Sequence, residues 1–156
     1  MVLHFYKYAG KIELAREIGD EESIRKTLVD ALIICLASAN AMNQSIGKAL
    51  VAEAESPTLD ALANVFARDF ERAALGFQAV KSFVVIGGQM AKAIESSDHM
   101  EAGNPRAGME ELVPLMTRAV LGVLGHLRPG LDEDVRARLA AVEKKSIFLL
   151  APAATR

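Results

Sequence analysis

Residues 26–36 read KTLVDALIICL, a strongly apolar stretch that contains one acid, Asp30. Its apolar positions follow the helical period but extend almost all round the helix, which predicts a helix buried on several sides. A second stretch, EELVPLMTRAV at 110–120, has the same character. An amphipathic segment precedes each one, IELAREI at 12–18 and GQMAKAI at 88–94, so the order of elements predicts an internal repeat.

The composition supports this interpretation. The chain has 156 residues, of which 51% are hydrophobic and 24% charged, so it can build a real core. Strong helix formers dominate. We therefore expect a single all-α domain over residues 1–156, a bundle of about five or six helices. Its two fused, diverged repeats, about 2–55 and about 58–148, are expected to be related by a pseudo-twofold axis.

Turn and capping residues place the helices. Gly19 predicts the end of the first helix, Asp20 or Ser23 the start of the second, and Ser56 and Pro57 the start of a long helix. The predicted helices cover residues 2–18, 20–43, 44–54, 58–94, 110–127 and 132–146, with a loop at 95–109. Residues 31–36 and 115–120 are expected among the central contacts.

Several function classes are disfavoured by charge and residue usage. The net charge of −2 gives neither a nucleic-acid footprint nor a polybasic membrane patch, and no apolar run reaches the length of a membrane span. The single cysteine, Cys35, lies in an apolar run and is expected to be a buried thiol. The start of the chain does not resemble a secretory signal, which favours a cytoplasmic protein.

Several short motifs resemble those of the MazG-like all-α nucleoside triphosphate pyrophosphohydrolases. That family carries a helix reading E-E-x-x-E-L-A-x-A-I, a loop, and a helix reading E-E-L-A-D-V-L. The similar segments here are ELAREI at 13–18, TLVDAL at 27–32, the Ala39-Asn40 pair, QMAKAI at 89–94, EELV at 110–113 and a closing stretch at 130–145. The resemblance implies hydrolysis of a nucleoside triphosphate to a monophosphate and pyrophosphate, with Mg²⁺ held by several carboxylates.

Most of the motif acids are replaced. The corresponding positions are Ala9, Gly10, Glu13, Thr27 and Asp30 in the first copy and Val85, Ile86, Gln89, Glu111 and Pro114 in the second. From the resemblance, Glu13 and Asp30 are the candidate metal ligands, to which we add Glu17, one turn from Glu13. A carboxylate among apolar residues needs a partner, and either Lys26 or a residue of another helix is expected to pair with Asp30.

Two function classes follow. The first is a pyrophosphohydrolase with Mg²⁺ as cofactor and a nucleoside triphosphate as substrate, its catalytic residues unassigned. The second is an inactive descendant that retains the fold as a binding or assembly module, and a homo-oligomer is compatible with both. A helical interaction module unrelated to the family is a third possibility.

Overall fold

The computed structural model describes residues 1–50, 58–98 and 104–145, and in these ranges it has helices but no strands. The α-helices are α1 Val2–Glu17, α2 Glu21–Ala41, α3 Ile46–Leu50, α4 Leu59–Phe66, α5 Leu75–Asp98, α6 Pro105–Leu124 and α7 Leu131–Glu143. The all-α fold class is confirmed, with seven α-helices in the described ranges. None of these helices is both long and apolar enough to cross a membrane.

Four helices form the central bundle. α1 packs against α2 and α5, and α6 closes the ring by packing against the same two helices. Fully buried side chains fill the interior, among them Phe5, Leu32, Phe83 and Met116. The Phe5 and Phe83 rings stack with their centroids 5.6 Å apart, which joins α1 to α5 through dispersion and aromatic contacts.

The shorter helices pack on two sides of this ring. α3 and α4 lie against α6, while α7 lies against α2 and α4. The helix that follows α2 therefore contacts α6, and the helix that follows α6 contacts α2. A pseudo-twofold relation between two repeats predicts such an exchange of contacts, but the superposition of residues 10–54 on 86–146 stays a prediction.

Local signals placed the junction between α1 and α2 correctly. Gly19 has φ +70°, a left-handed conformation that glycine adopts without strain, and it ends α1. The Asp20 carboxylate then accepts the backbone N–H of Ser23 at 2.9 Å and caps α2. The predicted start of α6 is wrong by five residues. The side chain of Asn104 accepts the Ala107 N–H and caps this helix, so α6 begins at Pro105 and not at Glu110.

The prediction of one long helix over residues 58–94 is wrong. α4 ends at Phe66, two single turns of 3₁₀ helix follow, and α5 begins at Leu75. Thr58 caps α4 by accepting the Ala61 N–H at 3.1 Å. The predicted cap and first residue, Ser56 and Pro57, lie outside the described residues.

Contacts with the end of α6 hold this break. His126 Nε2 lies 2.8 Å from the carbonyl oxygen of Ala67 and 2.9 Å from that of Phe70, which requires the N–H tautomer at Nε2. The Phe70 ring lies directly over Gly122, where an added Cβ would come within 2.3 Å of a ring carbon. The chain is therefore turned by tertiary contacts and not by a glycine or proline within the break.

Pro114 lies inside α6 without ending it. Because proline has no N–H, the carbonyl four residues earlier, that of Glu110, loses its helical partner. The Gln44 side-chain amide donates to this oxygen at 2.5 Å. One side chain from the segment after α2 thus satisfies the orphan carbonyl and fixes that segment against α6.

The expected central segments are largely as predicted. In α2, Ala31, Leu32 and Cys35 are fully buried, and in α6 Met116 and Val120 are buried. Leu115, which was expected among the central contacts, is exposed because it lies on the outer side of α6.

Candidate functional site

A groove of about 460 Å³ runs between α2 and α7. Its apolar lining comes from Val29, Ala137 and Ala141, and its charged lining comprises four basic and three acidic residues. The charged residues are Glu22, Arg25, Lys26, Asp30, Arg128, Asp134 and Arg138. The groove is thus a small-residue channel bordered by charges of both signs.

Asp30 lies in this groove and is paired with Arg138 of α7. Arg138 Nε donates to Oδ1 of Asp30 at 2.5 Å, and Nη2 donates to Oδ2 at 3.1 Å. This two-point geometry is among the strongest that a carboxylate makes. Lys26 instead lies near Glu22, 3.8 Å away, so the expected partner of Asp30 comes from another helix.

Arg25 is the most buried charged residue of the groove, with 2% of its surface exposed. Its Nε donates to Asp134 at 2.6 Å, and its Nη1 donates to the Arg128 carbonyl at 2.5 Å. Arg128 contacts Asp134 from the solvent side at 3.2 Å. Arg25 thereby ties both α7 and the turn before it to α2.

Several ionisable groups are perturbed by these neighbours, among them Asp134 and Tyr8. Burial raises the pKa of Asp134, but the hydrogen bonds from Arg25 and Arg128 outweigh it and hold that pKa below its ordinary value. Burial, and then the charge of Asp30, raise the pKa of Tyr8. At neutral pH Asp134 is therefore ionised, and Tyr8, which lines neither groove, is neutral.

A second groove of about 420 Å³ lies between α1 and α2, and Asp30 and Lys26 line it as well. Leu14 and Ile18 supply part of its apolar wall. Glu13 and Glu17 are not among its lining residues. Asp30 therefore borders two cavities, while the other two candidate metal ligands border neither.

The candidate ligands have separate surroundings. Glu13 is paired with Arg16 one turn away, and the hydrogen bond from Arg16 lowers the pKa of Glu13. Glu17 is exposed on α1. Across residues 1–50, 58–98 and 104–145, no group of three or more His, Cys, Asp or Glu side chains could hold a metal ion. A Mg²⁺ site at Glu13, Glu17 and Asp30 stays a prediction.

Cys35 is a buried thiol, as its apolar neighbours predicted. It is fully buried, and this burial raises its pKa to about 12, against a smaller opposite effect of the hydrogen bond with Thr117. A thiol with so high a pKa stays protonated and is a poor nucleophile.

Sequence reasoning missed the arginines and Asp134. Arg25 precedes Leu28 and Val29 by three and four residues, which places it on the buried face of α2 and was the available signal. Asp134 and Arg138 are one turn apart on α7, so they could have been grouped on one face. No sequence motif indicates that this face of α7 packs against α2, because that contact is decided by the tertiary structure.

The chain was also compared with known proteins. No family model, no curated protein and no solved structure matches it. The similarity to MazG-like pyrophosphohydrolases therefore rests on the short motifs alone.

Proposed function

We propose that this protein is a non-catalytic helical bundle that acts as a binding or assembly module. The observation that carries the proposal is the two-point hydrogen bonding of Asp30 by Arg138. In this role, the carboxylate holds α7 against α2 instead of binding a metal.

Coordination chemistry supports this assignment. Both oxygens of Asp30 already accept hydrogen bonds from a guanidinium whose positive charge opposes a nearby cation. A magnesium ion acting on a triphosphate needs hard oxygen ligands with free lone pairs. Glu13 is likewise paired, with Arg16, so two of the three candidate ligands have a cationic partner.

The competing proposal is a nucleoside triphosphate pyrophosphohydrolase that uses Mg²⁺. One observation favours it: Asp30 borders both the α1–α2 and the α2–α7 grooves, so a ligand in either cavity would lie beside it. On this hypothesis Arg138 would move from Asp30 to the phosphates when substrate binds, since arginine binds both anions in the same way.

The two proposals are separated by measuring pyrophosphate release. The purified protein is incubated at high concentration with Mg²⁺ and a panel of nucleoside triphosphates, beside Asp30→Asn and Arg138→Gln. We expect no release that depends on Asp30, and no heat of Mg²⁺ binding in calorimetry. Arg136→Gln, on the same helix but outside the groove, is the matched control for Arg138→Gln.

Mg²⁺-dependent release that disappears in Asp30→Asn, while that variant keeps its helical circular dichroism, contradicts the non-catalytic proposal. Release that rises in Arg138→Gln would also contradict it, because it would mean that Arg138 restrains a working carboxylate.

A further inference from the structure

One side of the four-helix ring has no outer helix packed along it among the described residues. α3 and α4 cover α6, and α7 covers α2, whereas α1 and α5 form the opposite side. Large apolar side chains are exposed on these two helices and just after α1, namely Leu3, Tyr6, Leu14, Ile18, Phe77, Val84, Val85 and Ile94. Leu3 and Ile18 are 83% and 79% exposed. A concentration of exposed apolar groups on one side marks an interaction surface.

Gly10 lies at the middle of this side and has no intramolecular reason to be a glycine. It is exposed within α1, and a Cβ added there would meet no atom within 4 Å. Glycine inside a helix costs about 1 kcal/mol relative to alanine. A small residue at an exposed helix position does, however, let another helix approach closely.

Gly10 belongs to an exposed row along α1 that we call the outer row: Lys7, Gly10, Leu14 and Glu17. These residues are spaced by three or four, as in the contact positions of a coiled coil. The row is basic at its amino-terminal end, acidic at its carboxyl-terminal end, and has Gly10 and Leu14 between. It is therefore self-complementary for an antiparallel partner.

The register follows from the spacing. When two copies of α1 run antiparallel and cross between Gly10 and Leu14, Leu14 of each lies over Gly10 of the other. The same register sets Lys7 opposite Glu17 of the second copy, and twofold symmetry gives every contact twice. A parallel arrangement would instead oppose Lys7 to Lys7 and Leu14 to Leu14.

We propose that this protein forms a homodimer through the outer row of α1, with α1 packed antiparallel against α1 of a second copy. Tyr6 extends from α1 towards α5, where its hydroxyl lies 3.6 Å from the position of a Cβ on Gly88, and it widens the contact in that direction. The outer row shares Leu14 with the wall of the α1–α2 groove. Dimerisation is measured by mass and not by activity, so its test is independent of whether the protein hydrolyses nucleotides.

The first experiment measures mass against concentration by sedimentation equilibrium. We expect the mass to rise from 16.7 kDa towards twice that value. Leu14→Glu should raise the dimer dissociation constant roughly tenfold or more, since it places a charge in the contact. Leu139→Glu on α7 is the matched control, because Leu139 is also an exposed leucine, and it should leave the constant unchanged.

The second experiment tests the antiparallel register by exchanging charges. Lys7→Glu alone and Glu17→Lys alone should each weaken the homodimer, because each opposes like charges. An equimolar mixture of the two variants should restore association, since the heterodimer has two opposite-charge pairs. A monomeric wild-type protein at roughly 200 µM, equal effects of Leu14→Glu and Leu139→Glu, or no recovery in the mixture would each overturn the proposal.

Discussion

Arg138 of α7 donates two hydrogen bonds to Asp30 of α2, from Nε to Oδ1 at 2.5 Å and from Nη2 to Oδ2 at 3.1 Å. The two residues are 108 positions apart in the chain. The contact therefore joins α7 to α2, and it uses the one acid of the apolar stretch 26–36.

Asp30→Asn should lower the free energy of unfolding by about 1 kcal/mol, because it leaves Arg138 without its charged partner at a partly exposed site. Urea denaturation followed by circular dichroism measures the change. Glu13→Gln is the control, since it removes a solvent-exposed pair and should change the free energy of unfolding much less than Asp30→Asn does. Equal losses in the two variants would show that the Asp30 contact has no special structural role.

The lowered pKa of Asp134 predicts that the free energy of unfolding decreases in acid. Its pKa in the folded protein is held below the ordinary value of 3.8, so its contribution is complete above that value and is lost as the pH falls through the lowered folded pKa. We expect Asp134→Asn to be less stable than wild type at pH 7 and to lose less stability between pH 5 and pH 3. Urea titrations across that range measure the difference, and parallel pH profiles would contradict the assignment.

The contribution of the Gln44–Glu110 hydrogen bond to stability should depend on Pro114. Gln44→Ala is expected to destabilise the protein by about 1–2 kcal/mol, since it leaves the Glu110 carbonyl without a partner. In a Pro114→Ala background the new backbone N–H can donate to that carbonyl. Gln44→Ala should then lower the free energy of unfolding much less. A double-mutant cycle in urea gives the coupling, and additive effects would exclude this account of the proline.

Replacement by alanine should destabilise the protein at Gly125 and stabilise it at Gly10. A Cβ at Gly125 would lie 2.2 Å from the Ala63 carbonyl oxygen, so Gly125→Ala should separate α4 from α6 and cost about 2 kcal/mol or more. Gly10→Ala meets open space and should stabilise the monomer by about 0.5–1 kcal/mol. Unfolding at low micromolar protein concentration compares the two without self-association.

Features decided by a few neighbouring residues were predictable. Gly19 and Asp20 identified the α1–α2 junction because a left-handed glycine and a capping carboxylate act within one turn. Cys35 was correctly expected to be buried because its own run is apolar on almost every side.

Features decided by distant residues were not predictable. The break before α5 carries no local signal, since it depends on His126 and on the space left by Gly122. Arg138 was not foreseen as the partner of Asp30, because the local alternative, Lys26 at one turn, is equally compatible with the pattern. The candidate metal ligands came from a resemblance, and periodicity alone does not bring side chains of two helices to one point.

His126 also has a consequence for the order of events in folding. Its ring reaches back to carbonyls 59 and 56 residues earlier in the chain, and those carbonyls end α4 and shape the break that follows it. Contacts between such distant residues form only after the intervening chain has closed into a loop. The break can therefore be completed only once the end of α6 has packed against α4, and until that contact forms we expect α4 to lack a fixed end.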